Sequence, residues 1–108
     1  MPESLSKQLL NLADVLTEIA CESTGATSAR AFDLSQDCRY YATKAALLAL
    51  KKSEPGYKEI QDALNKAAEK AEEANQKLSD VARKIAAVAD ALNLATRLIQ
   101  VIVGVLGL

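Results

Sequence analysis

The chain contains no histidine and no tryptophan. Histidine is the commonest general base near neutral pH and a frequent metal ligand. Without it, the Glu-x-x-His pattern of di-iron bundles is excluded, and so is nucleophilic catalysis by a Ser–His or Cys–His pair. The two cysteines, Cys21 and Cys38, form no C-x-x-C pair and lack the His that would complete a mixed zinc site. Proline occurs twice and glycine four times, so few residues interrupt helices. No sign of charge is in excess. Thirteen Lys and Arg face 14 Asp and Glu, and each half is balanced, six against six in 1–53 and seven against eight in 54–108. Nothing in that balance supplies the basic footprint that nucleic-acid binding requires. A charged leader followed by an apolar stretch is not seen after Met1, so no secretory signal is expected. Reduced thiols and a cytoplasmic location follow as expectations.

What is present in quantity is Ala, Leu, Lys, Glu and Gln, the strong helix formers. No strand-like alternation competes, and the expected class is all-α. Leu5, Leu9, Leu12, Leu16 and Ile19 are spaced 4-3-4-3 and predict a helix over about 3–22. Ser23–Ser28 reads as a loop in which Gly25 takes the left-handed position. Leu34, Cys38, Tyr41, Ala45 and Leu48 repeat the spacing and predict a second helix over about 28–52. Ser53–Gly56 is the second turn, with Pro55 suited to the first turn of a third helix.

From Tyr57 onward two core positions recur every seven residues. One runs Tyr57, Leu64, Ala71, Leu78, Ile85, Leu92, Ile99, Leu106; the other runs Ile60, Ala67, Ala74, Val81, Val88, Ala95, Ile102. This unbroken register predicts one long helix over about 55–105 that packs like a coiled coil. Such a helix would be about 75 Å long and would overshoot a hairpin of about 35 Å. Two architectures meet that difficulty. The helix breaks near Asn75–Ser79 and closes a four-helix bundle, or it stays whole and completes a swapped dimer. The unbroken register tips the expectation slightly toward the dimer.

The chain ends in LIQVIVGVLGL, eleven residues without an acidic or basic side chain. A membrane span needs about 20 apolar residues, and this run reaches only about 16 Å as helix. The segment reads instead as the broad apolar face of an amphipathic helix, which has to be covered. Leu92, Leu94, Leu98, Ile99, Val101, Ile102, Val103, Val105 and Leu106 are the expected interface residues. Tyr40, Leu47 and Leu50 form a second apolar stripe on the second helix and join that expectation.

Candidate chemistry is sparse. Glu69 and Glu72 have the E-x-x-E spacing of all-α nucleotide pyrophosphohydrolases, but every acid in 58–75 falls on the outer face of the heptad, as an ordinary solvated face does. Asp14, Glu18 and Glu22 line up opposite the Leu seam, and Asp33 and Asp37 are similarly spaced, without the inward projection of a metal site. Cys38 and Tyr41 fall on the inner seam, while Arg39 and Tyr40 do not. A Cys21–Cys38 disulfide is not expected, since a turn at Gly25 leaves them roughly 13 Å apart along the hairpin. No catalytic residue, metal or cofactor is expected. The sequence predicts a non-enzymatic module that self-associates as a homodimer or higher oligomer, open to a further protein partner. Membrane docking by residues 85–108 ranks second and a carboxylate–metal enzyme third.

Overall fold

A computed structural model describes residues 3–76 and 81–108. The described residues form five helices and no strand: α1 (Leu5–Glu22), α2 (Gly25–Ala42), the single turn α3 (Ala45–Leu48), α4 (Pro55–Asn75) and α5 (Val81–Leu106). The fold is an all-α bundle built from two helix pairs, α1 with α2 and α4 with α5.

Local signals set most of the boundaries. The Ser4 hydroxyl accepts the Lys7 amide at 3.1 Å and caps α1. Ser23 and Thr24 alone separate α1 from α2, a tighter turn than the expected 23–28 loop. Gly25 is left-handed, at φ 60°, but it opens α2 rather than sitting mid-loop. Ser28 donates to the Ala20 carbonyl at 2.7 Å and satisfies one of the orphan acceptors at the end of α1. Pro55 occupies the first turn of α4 as expected. At the far end of α5, Gly107 has φ 71° and the Leu108 amide donates to the Val103 carbonyl at 3.0 Å, a Schellman closure.

The second helix is shorter than its apolar pattern suggests. It stops at Ala42, where the Ser6 hydroxyl takes the Ala42 carbonyl at 2.6 Å and the Thr43 hydroxyl takes that of Tyr40 at 2.9 Å. Lys44 is extended, and Leu47 of α3 turns back into the core.

The third expected helix is two helices. α4 ends at Asn75, Gln76 is extended at ψ 152°, and α5 runs back along α4 so that Gly56 meets Val105. The chain thus takes the fold-back course, and the single helix over 55–105 is not formed. Ser79, at the far end of the expected break, lies outside the described residues. The core phase explains how the pattern misleads. In α4 the buried side chains are Ile60, Leu64, Ala67, Ala71 and Ala74, all on the heptad seam. In α5 they are Ala87, Val88, Ala91, Leu92, Ala95, Leu98 and Ile102, a seam rotated toward Ala91 and Leu98. Val81 and Ile85, which the register makes core, are 71% and 64% exposed. The shared register is a coincidence of two helices.

Around the bundle the order is α1, α2, α5, α4. Within each hairpin the helices are antiparallel. Between hairpins they run parallel: Gln8 meets Gln61 at one end of α1/α4, and Glu18 meets Asn75 at the other. α2 and α4 therefore stand on a diagonal, and residues 43–54 cross the end of the bundle to join them. The bundle measures 42 × 24 × 21 Å. Its centre is filled by Leu9, Leu16, Ile19, Ile60, Leu64, Leu98 and Ile102, all below 2% exposure.

Candidate interaction surface

The expected interface residues separate into three groups. Leu92, Leu98 and Ile102 are buried in the chain's own core, and Leu47 joins them from α3. These four expected interface residues are covered from within: fold-back packs α5 on α4 and α2, and α3 packs on α1 and α2. Leu94, Ile99, Val101, Val103, Val105, Leu106 and Leu50 are half-buried. Tyr40 is exposed, stands edge-on to Tyr41 and carries the Lys44 ammonium 4.1 Å from its ring centre.

Two depressions flank α5. On the α4 side, Leu94 and Val101 form an apolar strip together with Ala63 of α4. The rim of this strip holds Glu59 and Asp62 beside Lys66 and Arg97. On the α2 side, at the end of the bundle with the α1–α2 turn, a groove of about 500 Å³ is lined chiefly by Ile19, Ile85, Val88 and Leu92. The cause is in α2. Its buried residues Ala31, Leu34, Ser35, Cys38 and Ala42 point at the core, and what it offers the groove is Ala26, Thr27 and Arg30. No large apolar side chain of α2 reaches across to Ile85. The Arg30 Nη2 instead donates to Asn93 Oδ1 at 2.9 Å and Thr96 Oγ1 at 3.1 Å. Sequence reasoning missed this groove. The signal for it was the polar flank of α2, which offers nothing to match the broad apolar face of α5.

Burial, reinforced by the Asp37 charge and only partly opposed by Arg39, pushes the Cys38 thiol up to about 12. The thiolate, which is the nucleophile, is therefore suppressed. Cys21 is exposed, and neither cysteine is in a disulfide. Asp14 is engaged by Arg39 at 3.0 Å, Glu18 by Asn75, and Glu22 by Lys84 at 3.4 Å. The three carboxylates thus serve three separate cross-helix contacts. Among the described residues, no three His, Cys, Asp or Glu side chains converge as metal ligands would. Among the described residues the one buried polar side chain is that of Ser35, which lies 2.6 Å from the Thr17 hydroxyl and donates to the Ala13 carbonyl at 2.9 Å.

α5 is also, among the described residues, the one helix long and apolar enough to cross a membrane. The criterion is met although Asp90 and Arg97 interrupt the apolar sequence, and the core helix of a soluble bundle meets it equally. Comparison with protein families, characterised proteins and solved structures gives no match to this chain.

Proposed function

We propose that the chain is a non-catalytic helical assembly module that associates with a second copy of itself through the outer edge of α5. The observation that carries this reading is the strip formed by Leu94, Val101 and Ala63. It remains half-buried after fold-back, and its rim holds two acids and two bases. A two-fold interface brings the same patch of both subunits together. A rim of Glu59, Asp62, Lys66 and Arg97 suits such self-pairing, because the acids of one copy can face the bases of the other. The apolar centre with a charged rim also resembles the ordinary anatomy of an interface.

Light scattering across a dilution series tests the reading. A dimeric mass is expected, and Val101→Glu, a half-buried position at the edge, should reduce it to a monomer with its helical content intact. A monomer for the parent chain at every concentration would refute it.

A second reading rests on the length and apolar character of α5, which suit a membrane-docking helix. Against it, the polar edge of α5 carries few of the Lys and Arg side chains that interfacial helices use. Co-sedimentation with anionic and neutral liposomes decides, and protein left in the supernatant with both would eliminate it.

A further inference from the structure

The groove between α2 and α5 is closed at both ends by polar contacts between helices. At one end Lys84 Nζ of α5 lies 3.4 Å from Glu22 Oε2 of α1. At the other Arg30 of α2 holds Asn93 and Thr96 of α5. Lys84 and Asn93 are nine positions apart on α5, about 13 Å at helical rise. That length is too short to seat a partner helix of several turns. The volume of about 500 Å³ lies within the usual range for small-molecule sites, roughly 300–1,000 Å³.

The charges select the kind of molecule. The Lys84 ammonium is answered by the Glu22 carboxylate. Arg30 is held only by neutral acceptors, and among the described residues no carboxylate is within ion-pair distance of it. Its Nη2 makes both of those bonds, which leaves the Nη1 and Nε donors for a ligand. Among the described residues, the groove therefore has an apolar floor and one positive charge without a carboxylate partner, at its inner end. We propose that it binds a small amphiphilic monoanion, a carboxylate on an apolar body, with the body against Ile19, Ile85, Val88 and Leu92 and the carboxylate on Arg30. The site lies on the opposite flank of α5 from the proposed self-association strip and does not depend on it.

Decanoate is the probe, titrated below its micelle concentration while methyl NMR signals are followed. The signals of Ile19, Ile85, Val88 and Leu92 should shift together and saturate. Octanoate should bind more weakly, by about fourfold for each methylene lost. Decanol, which keeps the chain and lacks the charge, should bind more weakly than decanoate. Arg30→Gln should weaken decanoate about tenfold by removing a charge-assisted hydrogen bond and leave decanol unchanged. Ala89→Phe, at an exposed groove-lining position, should block both ligands. Should that variant fail to fold, Arg30→Gln and the comparison of the two head groups still decide. Equal affinity of the parent and Arg30→Gln for decanoate would overturn the proposal. So would shifts confined to Leu94 and Val101, or groove signals that move on simple dilution, which would mean that a second copy fills the groove.

Discussion

Gly56 of α4 lies so close beneath Val105 of α5 that a Cβ at position 56 would run into the valine Cγ1. The contact fixes how near the start of α4 comes to the end of α5. Gly→Ala in a helix ordinarily stabilises by roughly 0.5–1 kcal/mol through backbone entropy. Here overpacking should outweigh that gain, with a net loss of about 1–2 kcal/mol. Thermal melts of Gly56→Ala should show the loss, and Gly56→Ala combined with Val105→Ala should recover part of it. A Gly56→Ala chain more stable than the parent would show that the two helix ends do not meet.

The rotated seam of α5 sets Ile85 against Leu92, two residues that the heptad places at equivalent positions. Leu92 is 2% exposed and Ile85 is 64% exposed. Leu92→Asp should unfold the chain, because an unpaired charge would enter the core. Ile85→Asp should change stability by no more than about 0.5 kcal/mol. Comparable damage from both, read by circular dichroism on heating, would favour a straight heptad helix over the folded-back one.

The thiols should differ sharply in reactivity. Cys21 is exposed and Cys38 is fully buried, with its thiol pushed up to about 12. A disulfide reagent at pH 8 should label one cysteine per native chain, and Cys21→Ser should abolish that fast phase. The Cys38 shift also carries a pH dependence. A thiol held protonated in the fold but free to ionise near 9.0 in the unfolded chain leaves stability intact below pH 9, and stability falls as pH rises from there toward 12. Cys38→Ala should flatten that alkaline decline in melts.

Asp37 gives the acid-side counterpart. Partial burial and the neighbouring Asp33 carboxylate raise it from 3.8. The folded state therefore holds this proton more tightly than the unfolded state does. Its contribution favours folding at low pH and is lost as pH rises through the window above 3.8. Asp37→Asn should stabilise the chain at pH 7 and have little effect at pH 3. Equal effects at both pH values would count against the shift.

Helix content, the first hairpin and the α4 core were legible because each rests on local chemistry. Leu5, Leu9, Leu12, Leu16 and Ile19 are all buried, as their spacing requires. The break after Asn75 was harder to see, since no Gly or Pro marks it and the register runs through it. Heptad spacing tells that a helix has a face. It does not tell whether two consecutive faces belong to one rod, because chance phase alignment across a turn looks identical in sequence. The end of α2 at Ala42 was hidden for a related reason. What takes the Ala42 carbonyl is the hydroxyl of Ser6, thirty-six residues away in the chain, and no local pattern encodes such a partner. The groove beside Arg30 was hidden as well, because it depends on which flank of α2 meets α5.

The diagonal link through 43–54 joins the two hairpins covalently at one end of the bundle. Towards the other end Glu18–Asn75, Glu22–Lys84 and the contacts of Arg30 with Asn93 and Thr96 tie them together. The molecule is thus built like a book, with α1 and α4 as the spine and α2 and α5 as the fore-edge. Its lowest-energy opening should be a hinge motion that parts the fore-edge from the groove end, well below the cost of global unfolding. Amides at the start of α2 and α5 should exchange with solvent sooner than those of α1 and mid-α4. A ligand wedged beside Arg30 would act as a clasp, and the slowing of that exchange would measure how firmly it shuts.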